Sequence, residues 1–167
     1  MQDLGAGYRQ ALGHAMSCKE TGNKLLSSKQ SAEALEKYQE GITRIQHLHT
    51  FVMGPQMKVQ LEQLRVDLNN NAAHVSLQLE QYQRAAEHAT AVLEERKDNF
   101  KARYRRGNAW LEIGKLNEAK KDLDLALAAS PRSAQVKKAL RKWQDLTDRE
   151  NQPAGFKQEE DEANVLD

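Results

Sequence analysis

The chain has 167 residues, of which 29% are charged and only 5% aromatic, with 9 glycines and 3 prolines. A many-stranded β protein needs aromatic residues and turn formers, so this composition excludes one, and the abundance of Ala, Leu, Glu, Gln, Lys and Arg favours helices. The formal net charge is +1, but residues 150–167 carry −5 and residues 1–149 therefore carry +6. We expect one basic domain at 1–149, suited to anionic ligands, followed by a disordered acidic tail at 150–167.

Cysteine usage and hydropathy indicate the compartment. The single cysteine, Cys18, excludes an internal disulfide framework and is typical of a reducing compartment. No apolar run approaches the roughly 18 residues that a membrane-spanning helix needs. The first residues, MQDLGAGYRQ, lack the basic and then apolar order of a signal peptide. We therefore expect a cytoplasmic protein with no membrane insertion.

Helix-forming segments alternate with short breaks along the chain. Gly54 and Pro55 interrupt the pattern, Gly114 and Pro131 mark later ends, and Ser133 can cap a last helix. The predicted helices are, in chain order, about Tyr8–Ser27, Ser31–His49, Gln56–Leu79, Gln81–Arg96, Phe100–Ile113, Leu116–Ala129 and Ser133–Arg149.

The sequence contains an internal repeat. Ala85 and Ala89 lie 34 residues before Ala119 and Leu123, and an earlier copy, aligned through Ala34, precedes Ala85 by 51 residues. The first two copies are thus separated by a 17-residue insertion. A period of about 34 residues is the length of the tetratricopeptide repeat (TPR), a helix–turn–helix unit whose small residues let two helices approach closely. We predict an all-α fold: three TPR repeats at about 15–48, 66–99 and 100–133 in a right-handed solenoid, plus a C-terminal capping helix at 133–149.

Polar residues on the first helix of each repeat are candidates for a binding site. Lys19 and Asn23 are four residues apart and share a helix face, as do Lys101 and Arg105. Asn71 lies 34 residues before Arg105 and occupies the equivalent place one repeat earlier. Because a solenoid stacks equivalent places side by side, we expect these five residues to line one strip of a concave groove with no acid among them. Such a strip suits an anionic peptide that ends in a free carboxylate.

Three motifs on these helices resemble a known family. KETGN at 19–23, NAA at 71–73 and KARYRRG at 101–107 are similar to the TPR domains of heat-shock co-chaperones that carry a two-carboxylate clamp, and most similar to those of large immunophilins. The resemblance implies that Lys19, Asn23, Asn71, Lys101 and Arg105 bind the C-terminal EEVD peptide of the seventy- and ninety-kilodalton heat-shock chaperones.

The sequence departs from that family at two positions. Leu26 stands where many relatives have an aromatic residue, and Gln78 where many have lysine. Both are candidates for a pocket that contacts peptide residues upstream of the terminal aspartate. The chain leaves no room for a prolyl isomerase domain, so we expect either a stand-alone TPR protein or the TPR part of a longer, immunophilin-like one.

Other functions remain as alternatives. A general scaffold that binds another helix or an acidic internal segment is the main one. A nucleic-acid patch around Lys101 is disfavoured because Arg103 and Arg106 point away from the Lys101 face, so we expect no nucleic acid. We expect a monomer, with weak docking of the terminal Val165–Asp167 into the groove as a further hypothesis.

The chain shows no pattern for catalysis or metal binding. We find no nucleophile–base pair and no phosphate-binding glycine loop, so we expect no enzyme and no cofactor. His47 and His49, two residues apart, diverge on a helix. We predict no cysteine or carboxylate partner at ligand spacing for His14, His74 and His88, and therefore no metal site.

Overall fold

The computed structural model describes residues 4–49 and 53–151. Within these ranges the chain forms α-helices and no strand, which confirms the all-α prediction. The predicted acidic tail lies outside the described residues except for Glu150 and Asn151, which continue the last helix. The helices are α1 (Leu4–Ser27), α2 (Ser31–Ile45), α3 (Pro55–Gln78), α4 (Tyr82–Glu95), α5 (Phe100–Ile113), α6 (Leu116–Ala129) and α7 (Ala134–Asn151).

Local sequence signals set several of the helix ends. The Asn99 side chain accepts a hydrogen bond of 2.9 Å from the Ala102 N–H and caps α5. Gly114 ends the same helix at φ 84°, a left-handed conformation that favours glycine. Pro55 occupies the first turn of α3, where its missing N–H removes no helical hydrogen bond. The sequence therefore predicted most boundaries to within a few residues.

The end of α2 differs from the prediction. The helix ends at Ile45 rather than at His49. Arg65 of α3 donates to the carbonyl of Ile45, the last residue of α2, at 3.2 Å and to the Leu48 carbonyl in the turn that follows at 2.7 Å, so a side chain from another helix stabilises the end of α2. No local signal in α2 contains this information. The helix α1 also begins earlier than predicted, at Leu4.

Small residues allow the helices to pair as hairpins. A Cβ placed on Gly22 of α1 would lie 2.5 Å from the Tyr38 ring of α2, and one placed on Gly107 of α5 would lie 2.8 Å from Leu123 of α6. Tyr38 and Leu123 are fully buried. The same device therefore joins the first and the third hairpin, as the repeat predicted.

The first helices of the hairpins lie side by side. α1 contacts α3, α3 contacts α5, and α5 contacts α7, so these four helices form one continuous surface. α7 also packs on α6 and covers the open end of the last hairpin, where Val136 and Ala139 are buried. This stacking brings polar side chains from three separate helices together.

Candidate functional site

A polar cavity of about 200 Å³ lies where α1, α3 and α5 meet. All five residues proposed from the sequence line it, together with two that were not among the predicted site residues. The lining residues are Lys19, Asn23, Asp67, Asn70, Asn71, Lys101 and Arg105. Three cations and one carboxylate leave a net charge of +2 in this space, which we call the clamp cavity.

Two asparagines connect the first and second repeats across this cavity. The Asn71 side chain donates to the Asn23 Oδ1 at 3.0 Å. The same oxygen accepts a 2.7 Å hydrogen bond from the buried Tyr38 hydroxyl. Two hydrogen bonds to its oxygen therefore fix the orientation of the Asn23 side chain, including that of its amide nitrogen. Such preorganisation lowers the entropic cost of binding a ligand.

Lys19 is paired with an acid, which corrects the expectation that the strip contains none. Its Nζ lies 2.9 Å from the Asp67 Oδ2, and the two side chains are 28% and 35% exposed. Gln63 donates to the other Asp67 oxygen at 2.8 Å. Asp67 lies 34 residues before Lys101, so the repeat itself marks it as the equivalent of a groove residue. That signal was available in the sequence.

Arg105 lies half-buried with a neutral partner. Its guanidinium donates to the Asn70 Oδ1 at 2.8 Å. Burial disfavours the charged form and lowers the pKa of Arg105. Among the described residues, neither Arg105 nor the exposed Lys101 forms an ion pair. The cavity therefore holds positive charge that a bound anion would compensate.

The three consecutive asparagines of α3 have three different roles. Asn69 is buried, donates to the Arg65 carbonyl at 3.0 Å and lies 3.0 Å from the His88 Nδ1. Asn70 contacts Arg105 and Asn71 contacts Asn23. These contacts explain why residues of low helix propensity occupy the middle of a helix.

A second, larger cavity of about 540 Å³ adjoins the first, and Lys101 and Arg105 line both. Gln78, one of the two predicted pocket residues, lines this larger cavity with His74 and other side chains of α3, α5 and α7. Leu26 does not line either cavity and packs instead against the core of the first hairpin. Of the two predicted pocket residues, Gln78 lines one of these cavities and Leu26 lines neither.

The remaining arginines of α5 serve the interior of the third hairpin. Arg106 forms two hydrogen bonds of 2.6 and 2.9 Å with the buried carboxylate of Asp122, and Arg103 lies 3.4 Å from the same group. Both arginines therefore face α6 rather than the groove. One buried carboxylate therefore pairs with both cations.

The interpretation that His14 has no partner at ligand spacing is wrong. Cys18 follows it by four residues on α1, and Glu40 of α2 completes a cluster in which one ligand atom of each residue lies within 4.8 Å of the others. The pair at i and i+4 was visible in the sequence, whereas Glu40 was not, because it comes from another helix.

Comparison with known proteins shows similarity to the tetratricopeptide repeat and to immunophilins. Residues 76–142 match the family model of the tetratricopeptide repeat. The chain is 26% identical over 132 residues to the peptidyl-prolyl cis-trans isomerase FKBP42 of Arabidopsis thaliana, which covers 79% of this chain and 36% of that protein. The chain spans about a third of the length of the curated relatives it matches.

Three solved structures are similar over most of the chain. The C-terminal TPR-containing domain of a Plasmodium falciparum FK506-binding protein has a TM-score of 0.79 at 26% identity, covering 87% of this chain and 96% of that one. The first TPR of Spaghetti (RPAP3), bound to the HSP90 peptide SRMEEVD, gives 0.64 at 25%, covering 80% and 92%. The second TPR domain of human RPAP3, in complex with the HSP70 peptide SGPTIEEVD, gives a TM-score of 0.65 at 27% identity, covering 80% of this chain and 98% of that one.

Within the described ranges, no helix has the length and apolar character required to cross a bilayer.

Proposed function

We propose that this chain, which carries a TPR domain, is a non-enzymatic co-chaperone adaptor that binds the C-terminal EEVD-type peptide of heat-shock chaperones in its clamp cavity. In this proposal Lys19, Lys101 and Arg105 bind the two carboxylates of the terminal aspartate. Asn23 and Asn71 hydrogen-bond the same residue and its backbone. The protein would act in the cytoplasm, where such chaperones occur.

The uncompensated charge at Arg105 is the observation that carries the proposal. A half-buried guanidinium costs desolvation free energy, and its partner Asn70 supplies a dipole but no counter-charge. An arriving carboxylate supplies that charge and accepts a charge-assisted hydrogen bond worth about 1.5–3 kcal/mol. Lys101, exposed at the edge of the same cavity, adds a second cation without an acidic partner among the described residues. A bound dianion is therefore expected to lower the electrostatic free energy of the clamp cavity.

The larger cavity gives the peptide a direction. It shares Lys101 and Arg105 with the clamp cavity and continues along α3, α5 and α7. A peptide whose terminus lies in the clamp cavity can place its upstream residues there, near Gln78 and His74. The RPAP3 domains that are similar in fold are described with peptides ending in EEVD, which supports this ligand class.

The test is a binding titration with an N-terminally labelled SRMEEVD peptide, followed by fluorescence anisotropy. We expect a micromolar dissociation constant, about −7 to −8 kcal/mol, that weakens with added salt. Lys101→Ala and Arg105→Ala should each weaken binding about ten- to a hundredfold, with unchanged helicity by circular dichroism. Lys121→Ala removes the same charge from an exposed site on α6 and should change nothing.

A peptide with an amidated C-terminus separates this function from the scaffold alternative. A clamp that binds the terminal carboxylate loses most of its affinity for the amide. A groove that binds another helix or an acidic internal segment binds both forms equally. Undiminished binding of the acid peptide to both Lys101→Ala and Arg105→Ala would end the proposal.

A further inference from the structure

The first hairpin carries a cluster of metal-ligating side chains that the groove does not use. His14 and Cys18 lie one turn apart on α1, and Glu40 faces them from α2. The His14 Nε2 lies 2.8 Å from the Glu40 Oε1. One ligand atom from each of the three residues, including the Cys18 Sγ, lies within 4.8 Å of the other two. The fold therefore holds an imidazole, a thiol and a carboxylate together.

Glu40 holds the cluster together in the free protein, because its carboxylate accepts hydrogen bonds from His14, Lys37 and the Cys18 thiol. Cys18 is buried, with 5% of its surface exposed, whereas the His14 and Glu40 side chains are 39% and 42% exposed. The thiol thus forms the floor of the cluster, and solvent reaches it from one side. Lys37 binds the other Glu40 oxygen, Oε2, at 2.7 Å, which fixes the carboxylate with Oε1 directed at His14. An outer partner of this kind orients a ligating carboxylate.

We propose that His14, Cys18 and Glu40 bind a thiophilic divalent cation of the zinc class, with water as the fourth ligand. Nitrogen, sulfur and oxygen ligands in this combination suit such a cation. With metal–ligand bonds of roughly 2.0–2.3 Å, the ligand atoms of a tetrahedral site lie about 3.3–3.8 Å apart. The His14–Glu40 pair must open slightly and the longest separation must close by about 1 Å, and rotation of half-exposed side chains provides both.

Binding releases one proton. The Cys18 thiol gives its proton to solvent and coordinates as thiolate, and the His14 Nε2 proton that faces Glu40 moves through solvent to Nδ1 of the same imidazole, which frees Nε2 for the cation. The three ligands come from both helices of one hairpin, so the cation cross-links α1 to α2. Binding to the folded state alone raises the unfolding temperature of the protein.

The test uses the full chain and Co²⁺ as the probe, because cobalt bound to thiolate gives a charge-transfer absorption in the near ultraviolet. We expect that band to saturate at one equivalent, to disappear in Cys18→Ser, and to disappear when Zn²⁺ is added. His14→Ala and Glu40→Gln should raise the apparent dissociation constant at least about tenfold. Glu36→Gln removes a neighbouring exposed carboxylate of α2 and should leave the titration unchanged.

Zn²⁺ should also raise the melting temperature of the unmodified protein but not that of His14→Ala. This variant and Glu40→Gln change half-exposed side chains, so they keep the test valid if Cys18→Ser does not fold. Absence of the charge-transfer band at a large excess of Co²⁺ would overturn the proposal. An unchanged dissociation constant in both His14→Ala and Glu40→Gln would also overturn it, because the thiol alone would then be the ligand.

Discussion

Replacing Asp67 with asparagine should tighten binding of the EEVD-type peptide. In the free protein Asp67 holds the Lys19 ammonium group at 2.9 Å inside the clamp cavity. A peptide carboxylate that reaches Lys19 must share this cation with a negative group of the protein. Asp67→Asn keeps the shape and the hydrogen bond from Gln63 while it removes the competing charge.

The size of the effect follows from the geometry of the ion pair. If both carboxylates lie near 3 Å from the Lys19 Nζ, they are at most about 6 Å apart, and their repulsion is about 0.7 kcal/mol in water and about 2.8 kcal/mol at an effective dielectric constant of 20. Lys19 and Asp67 are 28% and 35% exposed, so the effective value lies nearer to water. We expect a gain of about 1 kcal/mol, which is about a fivefold lower dissociation constant.

The assay is the same anisotropy titration at low and at high ionic strength. Asp124→Asn is the matched control, because Asp124 pairs with Lys120 at 2.6 Å on α6, outside both cavities. It removes the same charge from an ion pair and should leave the affinity unchanged. The gain in Asp67→Asn should shrink at about 1 M salt, where the Debye length is about 3 Å.

Equal or weaker binding by Asp67→Asn would refute this reasoning. Weaker binding would mean that Asp67 chiefly positions Lys19 for the ligand, so that its loss frees the ammonium group to move away. A gain of the same size in Asp124→Asn would mean that overall charge, and not the Lys19 pair, determines affinity.

Two further predictions concern stability. Gly107→Ala should lower the free energy of unfolding by about 1–3 kcal/mol, because the new Cβ would lie 2.8 Å from buried Leu123. Gly13→Ala, with nothing within 4 Å, should raise it by about 0.5–1 kcal/mol, and equal urea midpoints for the two variants would contradict this. Burial lowers the pKa of His88 from 6.5. The stability that neutral His88 contributes to the folded state is therefore fully present above about pH 6.5 and is lost as the pH falls through the folded-state pKa. His88→Asn, whose amide nitrogen takes about the place of the Nδ1 that contacts Asn69, should flatten the fall in unfolding free energy between about pH 7 and pH 5, and an unchanged slope would contradict the assignment.

Much of the fold is encoded locally and by repetition. The N-cap at Asn99 and the glycine at 114 mark ends that any helix with this sequence would have. The 34-residue spacing then places equivalent residues side by side, so the sequence alone assigns Asn71 and Arg105 to one surface. Spacing and chain order were sufficient for these features because helix periodicity and repeat stacking are regular.

The pairings inside the site could not be predicted in the same way. Lys19 and Asp67 are 48 residues apart, and whether their side chains meet depends on the packing of α1 against α3 and on two rotamers. The hydrogen bond between Arg105 and Asn70, 35 residues apart, likewise depends on the packing of α3 against α5 and on two rotamers. These contacts decide which cations are compensated, and therefore where an anion would bind.

Helix periodicity and a regular repeat specify which helix faces coincide, so the residue pattern alone encodes an all-α repeat protein with five cationic and amide side chains on its first helices. Three features depend on packing instead: α2 ends at Ile45, where Arg65 binds its carbonyl, Asp67 pairs with Lys19, and Glu40 contacts His14. Each of these contacts joins two helices. Its formation depends on interhelical distances and side-chain rotamers, which no local pattern specifies.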